Sequence, residues 1–417
     1  MLQRTANSGG FTAVRSCYNP SDRSPWRGTL PIIVQKYGGS SVADIDRIRK
    51  VAAHVVETKR AGNHVVVVVS AMSGKTDELL HLATEVAPNP SNRELDMLLS
   101  VGERISMVLL SIAIQALGED AISLTGSQCG IMTNHSHSHA RIVEVRPFRV
   151  ADELEAGRIV IVAGFQGTSY KREITTLGRG GSDTTAVALA AALNADRCEI
   201  YSDVLFVCSA DPRVVISARK FIELDYDQML ALSRHGAKVL NAEAVEFAKR
   251  AGIAIYTRSS IDPGREGTVV RSNPDKAPGG VYGVTARKDV VAMRFSSEGG
   301  VADSALALLS NGGLKPCFAC AAGGGGTWLV FSRSDNVALD GSLRDLMPDG
   351  ADLVTDIGAV TVVGDVLGDP AGPGAMQRLR QMPGVRGLML TPAATTILVD
   401  AGSVDDFTRL LHEIFFA

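Results

Sequence analysis

The chain lacks three features that would assign it to an obvious functional class. It has no excess of basic residues: 42 Lys and Arg stand against 45 Asp and Glu, a balance that argues against a nucleic-acid-binding protein. It has no uninterrupted apolar run of the roughly eighteen residues that span a bilayer. Its six cysteines are widely scattered, which favours reduced thiols over a disulfide framework. We therefore expect a soluble, cytoplasmic protein with no nucleic-acid or membrane partner.

The length and composition are those of a folded protein with more than one domain. A chain of 417 residues is too long for one ordinary hydrophobic core, and 45% hydrophobic with 21% charged residues excludes a wholly disordered or fibrous chain. Residues 1–30 show little periodicity and lack the apolar core of a secretory signal. We predict a flexible N-terminal extension there and prefer it to a targeting peptide.

The rest of the chain has two kinds of pattern. Up to about residue 260, short β-branched runs alternate with helical stretches, which predicts a mainly parallel sheet sandwiched by helices. Ligands of such sheets bind beyond the carboxyl ends of the strands. A stretch rich in Pro and Gly at 262–280 marks a break. Beyond it, short strands and helices near 304–309 and 375–381 predict two small α+β modules.

A lysine and a pair of glycines close the first predicted strand. Lys36 is followed by Gly38, Gly39 and Ser40, and a helix comes next. Glycines let backbone N–H groups approach an anion, a helix N-terminus favours negative charge, and a lysine supplies a point charge for phosphate. The pattern is equally compatible with a tight strand–helix turn that carries a solvated lysine.

A second glycine-rich turn runs into a strongly apolar helix. Residues 175–185 contain three glycines, Arg179, and the capping candidates Ser182 and Asp183. Arg179 is suited to clamp a carboxylate or phosphate through two N–H groups. A buried, well-capped helix would explain the capping residues alone. An arginine between glycines has little structural use, so a functional role is favoured.

Two weaker patterns concern single residues. Glu103 follows a glycine inside a predicted helix and is suited to a substrate ammonium, but the residues alone favour a surface ion-pair partner. Residues 73–76 resemble the end of a phosphate-binding P-loop, yet Val69 stands where that motif needs its first glycine. Thr76 remains a candidate ligand contact at the end of a strand.

Two further patterns suggest metal or thiol chemistry and receive less weight. His135, His137 and His139 alternate with serines, which favours a polar loop over a metal site because no acidic or cysteine ligand stands nearby. Cys317 and Cys320 form a lone C-x-x-C pattern, which favours two thiols in an apolar strand.

Taken in chain order, these motifs resemble the aspartate kinases of the amino acid kinase superfamily, most of all the actinobacterial type. The resemblance covers nearly all of residues 31–270. It rests on the segments 36–42, 70–73, 97–106, 124–128, 162–167, 175–186, 201–204, 210–213 and 236–240. It implies an amino-acid-kinase-like catalytic domain at 31–272, followed by divergent ferredoxin-like ACT modules at 281–355 and 356–417.

The activity that this resemblance implies is an ATP-dependent phosphotransfer to a carboxylate. The γ-phosphoryl group of ATP, with Mg²⁺, would pass to the side chain of L-aspartate and give 4-phospho-L-aspartate. Such an acceptor is ionised at neutral pH and needs no general base. It needs alignment and cationic neutralisation of the moving phosphoryl group. ACT modules further imply a homodimer or higher homo-oligomer.

The resemblance also implies roles for individual residues. Arg179 would bind a substrate carboxylate and Glu103 the substrate ammonium, which overrides the surface interpretation of Glu103. The remaining implied roles are phosphate binding for Lys36, Gly38, Gly39 and Ser40, substrate contact for Thr76 and Ser182, nucleotide contact for Ser202, Asp203, Arg213 and Lys238, and organisation of the catalytic group by Asp183.

Two departures from the family pattern keep alternatives open. Leu205-Phe206 replaces an Asp-Gly pair, and Cys208 replaces a tyrosine beside the nucleotide. The effector-loop residues of both modules also differ, so we predict weak or absent feedback by lysine and threonine. The alternatives are a kinase of another amino acid and a catalytically impaired paralogue that regulates a true kinase.

Overall fold

The computed structural model describes residues 30–178, 180–275, 280–295, 316–322, 326–334 and 351–416, together with residues 314, 339, 343, 344 and 347. The chain forms two compact units, Met1–Ile200 and Tyr201–Ala417. Nearly all of the predicted N-terminal extension, Arg179 and the predicted helix at 304–309 lie outside the described residues. The predicted division into domains stays a prediction.

The first unit is built of alternating strands and helices. Its strands are β1 (Ile32–Tyr37), β2 (His64–Val69), β3 (Ala121–Leu124), β4 (Ile131–Thr133), β5 (Ile142–Val145), β6 (Ile159–Ala163), β7 (Gln166–Ser169), β8 (Ile174–Thr176) and β9 (Arg197–Ser202). Its helices are α1 (Ile45–Arg60), α2 (Lys75–Val86), α3 (Asn92–Leu99), α4 (Val101–Ala116), α5 (Phe148–Glu155) and α6 (Gly181–Ala192).

The main sheet of this unit has the strand order β9-β1-β2-β6-β3. The pairs β1–β2, β2–β6 and β3–β6 are parallel. Residues 65–69 of β2 are all fully buried. Because successive strand side chains point to opposite faces, both faces of this sheet are covered. The predicted fold class is confirmed.

A second, four-stranded sheet in this unit has the order β5-β4-β7-β8. Its pairs β4–β5 and β7–β8 are antiparallel, whereas β4–β7 is parallel. The sheet matters for the site because β8 leads into α6. That connection is the second glycine-rich turn of the sequence.

Helices α3 and α4 together form a long, mainly apolar stretch that charged residues interrupt. By length and composition alone, Asn92–Ala116 could cross a membrane. The stretch contains the charged residues Glu103 and Arg104, and α4 packs against α1, β3 and β6. The buried face of α4 includes Glu103 and Ser106. We interpret α4 as a helix of the α/β layer.

The second unit continues the chain with short strands and then a large antiparallel sheet. Its strands are β10 (Glu223–Leu224), β11 (Ile255–Ser259), β12 (Val269–Val270), β13 (Val281–Arg287), β14 (Val290–Phe295), β15 (Phe318–Ala322), β16 (Thr327–Ser332), β17 (Ala351–Val354), β18 (Ile357–Gly364), β19 (Val385–Thr391) and β20 (Ala394–Asp400). Its helices within the described residues are α7 (Tyr226–Arg234), α8 (Ala242–Ala251), α9 (Gly372–Leu379) and α10 (Val404–Phe416).

The predicted α+β modules share one eight-stranded sheet, ordered β13-β18-β20-β19-β15-β16-β14-β17. Strand β13 pairs with β18, and β15 pairs with β19, so strands of the two predicted modules are hydrogen-bonded to each other. Helices α9 and α10 cover the β18–β20 part through a core that includes Met376, Phe407 and Leu411. This architecture fits a pair of ACT modules.

Candidate active site

The lysine and the aspartate of the two glycine-rich motifs meet in the first unit. Lys36 lies near the end of β1, and Asp183 lies in the first turn of α6. Lys36 Nζ and Asp183 Oδ1 are 2.6 Å apart, and the two side chains are only 11% and 10% exposed. The solvated-lysine alternative is therefore wrong. The largely buried carboxylate of Asp183 is paired with a cation, and Lys36 provides it.

The glycine pair after β1 lets two segments of backbone approach closely. A Cβ on Gly39 would lie 2.8 Å from the carbonyl oxygen of Ala71, so only glycine fits there. Gly38 precedes a short 3₁₀-helix, Gly39–Val42. Within the described part of the chain, the buried Ser41 hydroxyl of this helix has no hydrogen-bond partner. Ser41 was not among the predicted site residues, although it follows Ser40 directly.

Glu103 is buried, which contradicts its interpretation as a surface partner. Its side chain lies in the first turn of α4 and is 4% exposed. Oε1 accepts a hydrogen bond of 3.1 Å from the backbone N–H of Ala71. Oε2 is also buried and has no hydrogen-bond partner among the described residues. Burial raises the pKa of Glu103 to about 7, against the opposing effect of its backbone hydrogen bonds.

Ala71 therefore connects two candidate subsites: the glycine pair after β1, which is suited to phosphate, and the carboxylate of Glu103, which is suited to an ammonium group. Its carbonyl oxygen faces Gly39, and its N–H binds Glu103. Gly102 permits this arrangement, because a Cβ there would lie 2.8 Å from the Cβ of Ala71. The glycine before Glu103 thus has a packing role against the end of β2.

The other predicted substrate residues of this unit are placed differently. Ser182 is buried, and a Cβ on Gly164 would lie 2.7 Å from the Cβ of Ser182. Thr76 is half-buried at the start of α2, which follows the left-handed Gly74. The neighbouring Lys75 forms an ion pair of 2.7 Å with Glu78. The position of Arg179 lies outside the described residues.

The four predicted nucleotide residues lie in the second unit, which begins at Tyr201 within β9. Ser202 closes β9 and exchanges hydrogen bonds with the backbone of Val204. Arg213 donates two hydrogen bonds to the carboxylate of Asp211, from Nε to Oδ1 at 3.0 Å and from Nη2 to Oδ2 at 2.7 Å. Hydrogen bonds from Arg213 lower the pKa of Asp211, and the positive charge of Lys238 adds to this shift.

Asp203 belongs to the same cluster of charges. The hydrogen bonds and charge of Asp211 raise the pKa of Arg213, and the charge of Asp203 contributes. Arg213 thus interacts with the charges of both Asp203 and Asp211, and Lys238 interacts with the charge of Asp211. Asp211 was not among the predicted site residues, although the family-like segment 210–213 contains it. The sequence feature that could have indicated it is an aspartate two residues before Arg213, close enough along the chain for an ion pair.

The Leu205-Phe206 pair follows without a left-handed turn. Neither residue has a positive φ. The hydroxyl of Thr257 donates to the carbonyl oxygen of Leu205 at 2.7 Å, and the ammonium of Lys220 lies 5.5 Å from the centre of the Phe206 ring. The backbones of Cys208 and Lys220 pair as an isolated antiparallel β-bridge. This sequence therefore supports a different local conformation from an Asp-Gly turn.

The alternating histidines contact other parts of the first unit. His137 Nδ1 lies 2.7 Å from Oδ2 of Asp96, and the ring of His139 lies beside Gly178. Across the described ranges, no group of three or more His, Cys, Asp or Glu is arranged to hold a metal ion.

Comparison with known proteins places this geometry in a family context. Residues 31–259 match the model of the amino acid kinase family. Aspartokinase from Mycolicibacterium smegmatis is 54% identical over 250 residues, which are 60% of this chain and 59% of the relative. Aspartokinase from Corynebacterium glutamicum is 56% identical over 238 residues, 56% of each chain. The chain thus matches less than two thirds of the length of either relative.

Solved structures extend the similarity of fold beyond the matched segment. Escherichia coli aspartokinase III in complex with aspartate and ADP has a TM-score of 0.77 at 22% identity, covering 93% of this chain and 100% of that one. Aspartate kinase from Synechocystis has a TM-score of 0.54 at 34% identity, covering 92% and 69%. The family model spans more than half of this chain. The chain therefore belongs to the amino acid kinase family.

Proposed function

We propose that this protein is an aspartate kinase, which transfers the γ-phosphoryl group of ATP to the side-chain carboxylate of L-aspartate. The products are 4-phospho-L-aspartate and ADP. The observation that carries the proposal is the position of Ala71, which lies between Gly39 and Glu103. One residue thereby holds a candidate phosphate loop next to a candidate amino-acid pocket. The family membership and the aspartokinase relatives support the same activity.

Glu103 receives the ammonium group of the substrate in this proposal. A buried carboxylate oxygen without a hydrogen-bond partner is costly, and an ammonium offers the donors and the charge that would satisfy it. A substrate without that amine would leave Oε2 buried and unpaired. Glu103 thus selects an α-amino acid from other small diacids.

Lys36 neutralises charge on the transferred phosphoryl group. Asp183 holds its ammonium in place before ATP binds, because the pair is short and largely buried. The carboxylate acceptor is already ionised, so no residue has to remove a proton from it. Catalysis then depends on alignment of the reactants and on cations near the transferring oxygens.

The remaining contacts are assigned by their position in the chain. Gly38, Gly39 and Ser40 bind phosphate oxygens, and Arg179 binds a carboxylate of aspartate with Ser182 and Thr76 nearby. The nucleotide residues are Ser202, Asp203, Arg213 and Lys238. Mg²⁺ bound to ATP would neutralise part of the phosphate charge, and we assign it no ligand from this chain.

The proposed assembly and regulation concern the second unit. We propose a homodimer or higher homo-oligomer that forms through the ACT modules, with weak or absent feedback by lysine and threonine. A cytoplasmic location stays a prediction from the sequence. Steady-state assays at millimolar lysine plus threonine should show less than about tenfold inhibition. Stronger inhibition would contradict the lost feedback without affecting the proposed reaction.

The reaction is tested with purified protein, Mg-ATP and a panel of amino acids, with hydroxylamine to trap the acyl phosphate. Hydroxamate with L-aspartate alone supports the proposal. Hydroxamate with a different amino acid replaces it with a kinase of that substrate. No hydroxamate with any member of the panel, from folded protein, identifies a catalytically impaired paralogue.

A further inference from the structure

A buried carboxylate outside the proposed substrate contacts joins three segments of the first unit. Asp96 lies on α3 and is 0% exposed. It accepts hydrogen bonds from the hydroxyl of Thr176 at 2.5 Å and from the backbone N–H of Ser138 at 3.0 Å. His137 Nδ1 lies 2.7 Å from Oδ2 of the same carboxyl group.

Each of these donors belongs to a segment that borders the glycine-rich turn before α6. Thr176 is the last residue of β8, and its carbonyl oxygen accepts from the N–H of Ala140. Gly178 lies against His139: a Cβ on Gly178 would be 3.0 Å from the ring nitrogen Nδ1 of His139. The loop at 137–140 thus packs along the chain at 176–178.

Two glycines on the way to α6 have left-handed backbone conformations. Gly178 and Gly180 have φ values of 81° and 72°, and such glycines sample many alternative conformations at low cost. Ser138 also has a left-handed φ of 66°, which is unusual for a residue with a side chain. Its N–H lies within hydrogen-bonding distance of both oxygens of Asp96. The carboxylate therefore binds Ser138, whose backbone is strained, and also binds Thr176, which lies two residues before Gly178.

We infer that Asp96 is a positioning residue for the amino-acid subsite, acting through Thr176 on the turn that precedes Ser182 and Asp183. The inference rests on the proposed function, since it names a further residue for the same reaction. We assign Asp96 no direct contact with a reactant. It fixes the end of β8, so that α6 begins at a constant place relative to β1 and Lys36.

The test compares Thr176→Val, Thr176→Ser and Asp96→Asn with the control Asp152→Asn. Thr176→Val removes the hydroxyl at nearly constant volume, whereas Thr176→Ser keeps it. Asp152 is an exposed aspartate on α5 and controls for loss of a negative charge. The measurements are kcat, the KM values for aspartate and ATP, the melting temperature, and hydrogen exchange of the amides at 138 and 180–186.

We expect Thr176→Val and Asp96→Asn to raise the KM for aspartate about tenfold, because misplacement of a binding group by a fraction of an ångström loses alignment. The KM for ATP should change less than about twofold, and exchange at 138 and 180–186 should become faster. Thr176→Ser should restore the KM for aspartate, and Asp152→Asn should resemble the unmodified protein.

Two results would overturn the inference. One is an unchanged KM for aspartate with unchanged exchange in Thr176→Val and Asp96→Asn. The other is a lower melting temperature with kcat and both KM values preserved, which is the signature of a purely structural role. Hydrogen exchange needs no turnover. If the unmodified protein makes no acyl phosphate, the proposed function fails while the exchange data still decide whether Asp96 anchors the turn.

Discussion

At the scale of single residues, burial decides which side chains are available for chemistry. Glu103 and Lys36 both lose most of their contact with water, but the fold treats them differently. Lys36 has an aspartate beside it, whereas one oxygen of Glu103 has no partner among the described residues. Asp183 therefore fixes the ammonium group of Lys36 where it can bind an anion. The free oxygen of Glu103 can bind a cation.

The pKa of Glu103 predicts a pH dependence of substrate binding. Burial raises this pKa to about 7, so a falling pH protonates the free enzyme and removes the charge that attracts an ammonium. The KM for aspartate should rise by about tenfold per pH unit below pH 7. Initial rates between pH 5.5 and 8.5 test this, and a KM that stays flat down to pH 6 would contradict it.

The same group predicts opposite effects of Glu103→Gln on stability and on binding. A carboxyl with a raised folded-state pKa stabilises the fold only at low pH, and this contribution disappears as pH rises through the folded value of about 7. Glu103→Gln should therefore raise the free energy of unfolding at pH 8, by at most about 3 kcal/mol, while aspartate binding is lost. Urea denaturation at pH 5 and pH 8 gives the comparison, and equal effects at both pH values would count against it.

The Lys36–Asp183 pair predicts a combined loss of activity and stability. Lys36→Ala removes the proposed phosphate cation and leaves Asp183 buried without it, so turnover should fall at least about a hundredfold and unfolding should become about 3 kcal/mol easier. Lys75→Ala is the matched control, because Lys75 forms only a surface pair with Glu78. Its expected effect on stability is below about 0.5 kcal/mol. Near-normal turnover of Lys36→Ala would remove that residue from its role.

At the scale of elements, close approach between backbones decides where glycine is required. Helix α4 can approach the end of β2 because Gly102 has no Cβ to meet Ala71. Helix propensity alone would favour alanine at this position. The requirement for glycine is therefore a packing requirement that the sequence indicates only as an unusual residue inside a helix.

Two glycine-to-alanine substitutions in helices should have opposite signs. Gly102→Ala should lower the free energy of unfolding by about 1–3 kcal/mol, because its Cβ would lie 2.8 Å from the Cβ of Ala71. Gly374→Ala in α9 meets nothing within 4 Å and should raise stability by up to about 1 kcal/mol. Denaturant titrations of both variants are the measurement. A stabilising Gly102→Ala would show that α4 can shift without cost.

At the scale of the whole molecule, the C-terminal helix α10 contacts the segment that carries the proposed nucleotide residues of the second unit. His412 of α10 forms a buried hydrogen bond of 2.9 Å with the hydroxyl of Ser209. Arg219 donates to the carbonyl oxygen of Phe416 at 2.6 Å and lies over the Phe416 ring. Ser209 stands two residues before Asp211, so this contact links the packing of α10 to the charge cluster.

Protonation of His412 should weaken this attachment. Desolvation and then the charge of Arg219 lower the pKa of His412, so its neutral form is favoured in the folded state. The stability from this effect is present above the ordinary pKa of 6.5 and is lost as pH falls through the lowered folded value. His412→Gln should flatten the fall in stability below pH 6.5, and parallel curves for the two proteins would refute the attribution.

The sequence predicted the repeating pattern of the fold and the chemistry of its motifs because both depend on local order. Strand and helix periodicity, glycines at turns and charged residues at strand ends are visible along the chain. The burial of Glu103 cannot be read from the local sequence, because Ala71, whose N–H binds its carboxylate, lies 32 residues away along the chain.

What the sequence determined by itself is the set of groups: a lysine, two glycine-rich turns, an acidic residue within a helix, and the alternation that builds a parallel sheet. Only the tertiary structure decided that Lys36 meets Asp183, that Ala71 joins Gly39 to Glu103, and that Asp96 anchors Thr176. The members of each pair are between 32 and 147 residues apart along the chain. Periodicity acts over a few residues, whereas burial and ion pairing depend on which surfaces the packed layers bring together.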